Sequence, residues 1–147
     1  MKRTTYLLVV LICGVISCNS QKKAGKSKTD TVSITDKEWV VTVLGDRKLA
    51  NLSAERLPTL KLSNGKVSGY SSCNRMNGTY TIKKQTITFG AIAITKMLCN
   101  ETKAIESKYL KSLSEIKTWK YEQDKLYFFD ENKQEIIVFE LKSAQQP

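Results

Sequence analysis

Apolar and polar residues alternate in short runs from about residue 36 to residue 141, and that period-two pattern predicts strands. Asp36 to Leu44, DKEWVVTVL, is the first such run. Trp39, Val41 and Val43 share one face, and Val40, Thr42 and Leu44 share the other. Both faces are apolar, which predicts a central strand. Gly45-Asp46 ends it, and residues 48–58 read as an irregular connection. Two hairpins follow. Leu60–Ser63 and Lys66–Ser68 flank Asn64-Gly65, a type I′ turn signal. Thr79–Lys83 and Thr86–Phe89 flank Lys84-Gln85 and are rich in Thr and Ile. Between the hairpins, Ser68–Tyr80 (SGYSSCNRMNGTY) reads as a turning corner. Gly69, Asn74, Asn77 and Gly78 are the residues there that tolerate positive φ.

Gly90–Thr95 is an apolar run that either extends a strand or lies as a covered loop. The period then changes. Ala104, Ile105, Tyr109, Leu110 and Leu113 recur at helical spacing, predicting a helix over 101–113 with Asn100 as its cap. The last third returns to alternation over 117–122, 125–130 and 135–141, separated by short polar turns. Consecutive antiparallel pairing is expected of such a meander. The predicted class is mainly β: a small, curved or partly closed antiparallel barrel with one helix covering an open side. Trp39, Tyr80, Phe89, Trp119, Tyr127 and Phe139 are the candidate aromatic core. Residues 143–147 are expected to fray.

The first 31 residues are of another kind. Met1-Lys2-Arg3 is a short basic start, and Tyr6–Ile16 is an apolar run too short to span a bilayer as a helix. It suits a signal-peptide core. The run ends in Val15-Ile16-Ser17-Cys18, which resembles the lipobox of bacterial lipoprotein precursors. That resemblance implies cleavage after Ser17, a lipid on the Cys18 thiol, and a further acyl chain on the new amino terminus. Several acyl chains on one residue give stable anchoring. Asn19 in place of Asp at the following position implies, by the same resemblance, the outer membrane facing the periplasm. Residues 19–31 are polar, with four Lys against Asp30, and are expected to form a disordered basic tether. The organisation is thus 1–17 signal peptide, 18–31 lipidated Cys and tether, 32–142 folded domain, 143–147 tail.

Charge changes little once the leader is set aside. The domain and tail hold 18 Lys and Arg against 13 Asp and Glu, so only +5 of the chain's +10 belongs to them. Its Lys residues are scattered, and Arg47, Arg56 and Arg75 form no cluster in sequence, which argues against nucleic-acid binding. The chain has no His. Ser-His-Asp and Cys-His catalysis and His-based metal sites are therefore excluded. Glu122, Asp124, Asp130 and Glu131 fall at predicted turns and read as turn polarity. Cys73 is either a small buried thiol or one half of a disulfide to Cys99, and export favours the disulfide. The two cysteines lack metal-ligand spacing, so no metal and no cofactor is expected.

Several motifs together resemble the META domain family, the HslJ-like group of heat-shock proteins. They are Trp39-Val40-Val41, Ser72-Cys73-Asn74-Arg75 with Asn77-Gly78-Thr79-Tyr80, Ile87-Thr88-Phe89-Gly90, Ile94-Thr95-Lys96-Met97-Leu98-Cys99, and Glu106 with Tyr109-Leu110. Ser72 stands where the family usually has Gly, and Leu98 where Ala is common. The resemblance implies a small curved or barrel-like antiparallel sheet with a helix. It supports a Cys73–Cys99 pair and structural roles for Asn74, Gly78 and Thr95. It brings no catalytic residues. It associates the chain with heat-induced expression and, in some bacteria, antibiotic resistance. Three functional expectations follow. The first is a non-enzymatic, lipid-anchored envelope protein acting in stress or antibiotic tolerance by contact with other envelope components. The second is a barrel binding a small apolar ligand. The third is an enzyme with Cys73 as nucleophile beside Lys96 or Arg75. Oligomeric state is not legible from the residues.

Overall fold

The alternating runs close on themselves. A computed structural model of the protein describes residues 33–142. The expected signal peptide over 1–17, the lipidated Cys18 and tether over 18–31, and the fraying tail over 143–147 all lie outside the described residues. The strands are β1 (Glu38–Leu44), β2 (Arg47–Lys48), β3 (Thr59–Ser63), β4 (Lys66–Tyr70), β5 (Arg75–Lys83), β6 (Thr86–Phe89) and β7 (Ala93–Ile94). After helix α1 (Lys103–Glu115) come β8 (Thr118–Glu122), β9 (Lys125–Phe129) and β10 (Glu135–Leu141). Eight of them form a closed antiparallel ring in the order β1, β3, β4, β5, β6, β8, β9, β10, because β10 pairs again with β1. β2 adds to β1 and β7 adds to β5. The expected barrel is therefore fully closed.

Inward side chains fill the ring. Trp39, Val41, Leu60, Leu62, Phe128 and Phe139 are all buried. Phe128 stacks edge-on against Phe139 with ring centroids 5.4 Å apart, and Phe89 meets Phe128 in the same way at 6.0 Å. Such contacts contribute roughly 1 kcal/mol each beyond the area they bury.

The turns at 64–65, 84–85 and 123–124 all lie at one end of the barrel, by the antiparallel registers. The described chain begins and finishes at that hairpin end. Asp36 N–H bonds Leu62 O, and Trp39 faces Leu141 across β10. Ile34 plugs that end, with its carbonyl accepting from the Trp39 indole at 2.9 Å. The opposite end is covered by α1, whose buried Ile105, Tyr109 and Leu113 enter the core. Tyr109 donates its hydroxyl to Thr59 O at 3.1 Å. Burial holds that phenol far above its ordinary pKa, so it acts only as a neutral donor.

Several details differ from the sequence reading, each for a local reason. A bulge between Val41 and Val43 shifts the register against β10, so Leu44 and not Val43 turns inward. In the run Leu126-Tyr127-Phe128-Phe129 the inward positions are Leu126 and Phe128, so Tyr127 is not core. Trp119 is half-buried against the core. The Asn64-Gly65 turn is as expected, with φ of 48° and 74°. Asn77-Gly78, however, is no turn: both residues lie within β5. Gly78 is needed there for close approach, since a Cβ would sit 2.7 Å from Ala91 O. Gly69 likewise belongs to β4, where a Cβ would sit 2.1 Å from Thr59 O. Gly69→Ala is accordingly expected to destabilise the domain by roughly 2 to 3 kcal/mol, as overpacking does. Urea unfolding checks this, and an unchanged midpoint would refute the tight approach of β3 and β4.

Candidate functional site

The buried polar groups gather at the helix end, where β4 passes to β5. Ser71, Ser72, Cys73 and Asn74 form that turn and are all buried, while Arg75 beside them is exposed. Backbone polarity buried this deeply needs partners. Ser71 N–H donates to Asn74 O at 2.8 Å, and the Ser71 hydroxyl oxygen lies 2.8 Å from the same carbonyl. Ser72 donates its hydroxyl to Arg56 O at 2.6 Å, and Ser72 O accepts from the Thr102 hydroxyl at 2.9 Å.

The Asn74 side chain ties three segments together. Its Oδ1 accepts from Met97 N–H at 2.7 Å and from the Thr95 hydroxyl at 2.8 Å. Its amide nitrogen donates to the Glu106 carboxylate at 3.0 and 3.1 Å and lies 3.3 Å from Met97 O. The Asn74 N–H also reaches Glu106 Oε1, at 3.2 Å, and the Ser71 hydroxyl donates to the same oxygen. Glu106 lies in the first turn of α1, where a carboxylate is favoured by the helix dipole. Thr95 is bound at the same place: its N–H donates to Arg75 O, and its hydroxyl accepts from Arg75 N–H.

Cys73 and Cys99 are joined, with S–S 2.07 Å and Cα–Cα 5.8 Å. The bridge fastens the 95–102 segment to the same corner that Asn74 holds. With its sulfur in a disulfide, Cys73 has no thiolate to attack with, and the enzyme reading that used it beside Lys96 or Arg75 loses its nucleophile. Asn77 is exposed on β5 and takes no part in the network, and Gly69 and Gly78 serve strand packing. The structure thus brings together Cys73, Cys99, Asn74 and Thr95, and leaves Asn77 apart. Glu106 and Met97 entered the sequence reading only within the family motifs, and Ser71 only within the corner stretch, none of them with a hydrogen-bonding role. A lone Glu in an amphipathic helix carries no signal of this kind.

The helix start differs as well. α1 begins at Lys103 with Thr102 before it, not at Glu101 after Asn100. The Thr102 hydroxyl is committed to Ser72 O and caps nothing. The disulfide and this bond fix where the helix starts.

Among the described residues, no group of three or more Cys, Asp or Glu is placed to hold a metal ion. Buried side chains of the described residues pack through the barrel interior. Open hollows lie outside the wall; one of about 340 Å3 is lined by Val43, Lys48, Leu49 and Leu57 among others.

A family model described as META domain matches residues 32–143. The chain belongs to the META domain family. An NMR structure of a protein from Burkholderia xenovorans is similar to this META domain at TM-score 0.62 and 27% identity, covering 75% of this chain and 84% of that one. A second NMR structure, 18% identical, covers 75% of this chain and 92% of that one at TM-score 0.58, and its likeness is one of fold alone. No curated protein matches the chain significantly.

Ser72, at the position usually Gly in this family, has φ +83°, in the left-handed region. That geometry costs a side chain on the order of 1 to 2 kcal/mol, while its bond to Arg56 O contributes about 1 kcal/mol. Ser72→Ala keeps the strain and loses the bond. Ser72→Gly loses both. Ser72→Gly is therefore expected to be at least about 1 kcal/mol more stable than Ser72→Ala in thermal and urea unfolding. Equal losses in the two variants would contradict this account of the corner.

Proposed function

We propose that this META domain protein is a non-enzymatic, lipid-anchored component of the cell envelope that supports stress or antibiotic tolerance by contacting other envelope proteins. The observation that carries the non-enzymatic part is the saturation of the corner. Cys73 is tied to Cys99, and Asn74, Ser71 and Glu106 satisfy one another. A reactive centre needs at least one such group left free and poised. The anchor rests on the lipobox-like Val15-Ile16-Ser17-Cys18 and the basic tether after it. Placement at the outer membrane facing the periplasm rests on Asn19. A disulfide is also at home in an oxidising compartment. The link to tolerance comes from the family resemblance, with no cofactor and no nucleic acid involved.

A small-ligand barrel is the weaker reading, because aromatic side chains occupy the volume a ligand would need. The decisive experiment is complementation of a deletion strain during labelling with an alkyne analogue of palmitate. Wild-type protein is expected to take the label and restore tolerance to heat, detergent and antibiotics. Cys18→Ser is expected to lose the label, leave the membrane fraction and fail to restore tolerance. Label persisting on Cys18→Ser would refute the anchor, and normal tolerance in the deletion strain would refute the role.

A further inference from the structure

The ring is least continuous between β6 and β8, which share one bridged pair, Thr86 with Thr118. Past that pair the outer edge of β6 and β7 runs beside α1. A groove of about 350 Å3 lies between them, lined by Phe89, Gly90, Ile92, Ile94, Leu110 and Ser114. Its strand side has unused backbone groups. Gly90 N–H bonds inward to Thr79 O, while Ile87 N–H turns outward to Lys117 O. By the alternation of an antiparallel ladder, Phe89 turns outward as Ile87 does. Thr95 N–H bonds inward to Arg75 O, so Ile94 also turns outward. Among the described residues, neither outward group meets a strand partner.

Exposed strand edges are normally blunted by charge or proline. The edge Gly90-Ala91-Ile92-Ala93-Ile94 has neither. The apolar surface continues beyond it: Ile94 is 40% exposed, Met97 64% and Leu98 87%. These side chains are on a fixed backbone, because Asn74 holds both the N–H and the carbonyl of Met97 and the disulfide holds Cys99. Charge is divided along the groove. Lys96 and Lys103 stand at the Met97 end, and among the described residues neither is in an ion pair. Past Ser114 the surface meets Glu115, Asp130 and Glu131 beside Lys117.

We propose that this groove takes up an extended segment of a partner polypeptide as an added strand, with apolar side chains at alternate positions and acidic residues at the end beside Met97. Only another backbone can pair the outward groups of Phe89 and Ile94 while its side chains fill the apolar floor. A lipid surface could absorb Met97 and Leu98 but would leave those groups unpaired. The described chain enters the barrel at the hairpin end, and β7 lies toward the opposite pole. The inference names the surface through which the proposed envelope contacts are made and rests on that reading for its compartment only.

The test uses chain 18–147 with Cys18→Ser, whose barrel is complete within residues 33–142, labelled with 15N. The probe is the peptide Asp-Asp-Val-Thr-Val-Thr-Val-Lys, blocked at both ends. It is expected to shift and protect the amides of residues 87–95 and to move Leu98. A charge-reversed peptide and one N-methylated at alternate amides are each expected to bind at least about tenfold more weakly. Ile94→Asp, at an exposed position, is expected to abolish binding with the thermal midpoint retained. Lys103→Glu is expected to narrow the gap between the two charge patterns. Absence of shifts at millimolar peptide, or binding indifferent to N-methylation, would overturn the proposal. So would phosphatidylglycerol vesicles engaging Met97 and Leu98 while the peptide stays inert, which would assign the surface to lipid. None of these outcomes depends on whether Cys18 carries lipid in cells.

Discussion

One amide side chain, that of Asn74, joins the three stretches of backbone that meet at the helix end of the barrel. Its oxygen takes the N–H of Met97 and the hydroxyl of Thr95, and its nitrogen faces Glu106. An amide has two donors and two acceptor sites, and here each side is used. The site is buried, so removing any partner strands another, at about 1 to 3 kcal/mol each. That asymmetry is why the corner behaves as a unit. The covalent bridge from Cys73 to Cys99 reinforces the same tie. Closing a loop of that length contributes roughly 3 to 4 kcal/mol on a chain-entropy view.

The consequences run outward from that tie. With Glu106 held, the first turn of α1 is placed, and Tyr109 one turn later reaches Thr59 O over the barrel mouth. With Met97 held, the 93–99 segment runs along the outside of β5 without a full ladder of its own; only Ala93 and Ile94 pair. Two apolar side chains that would ordinarily fold away are kept in solvent on a rigid frame. The fold thereby commits polar chemistry to positioning, and leaves backbone edge and apolar side chains on the surface.

How much of this was legible in the residues depended on the range of the interaction. The Asn64-Gly65 hairpin was readable because both residues tolerate the φ values the turn requires. The helix and the closing meander were readable from their periods. The cysteine pair was readable as one of two options, and the family resemblance supported it. The same Asn-Gly pairing at 77–78 misled, because Gly78 answers to Ala91 across the sheet and not to its own backbone turn. Parity failed in Leu126-Tyr127-Phe128-Phe129, where every position is apolar or aromatic, and at Val43, where a bulge moves the inward position to Leu44. Glu106 as the acceptor of Asn74 spans 32 residues and leaves no mark on local pattern.

The most direct measurement of the Asn74 tie is the stability of Asn74→Asp across pH. The substitution keeps the shape and the acceptor oxygen but turns a carboxylate toward that of Glu106. Two carboxylates this close cannot both stay ionised without cost, so the folded-state pKa of the pair is raised. Folding is then penalised at neutral pH, and the penalty shrinks as pH falls through the raised value and one group takes a proton. Urea unfolding is expected to show Asn74→Asp several kcal/mol below wild type at pH 7, with the gap narrowing toward pH 4. A variant as stable as wild type at pH 7, or a gap that does not change with pH, would contradict the claim that Asn74 and Glu106 hold this corner together.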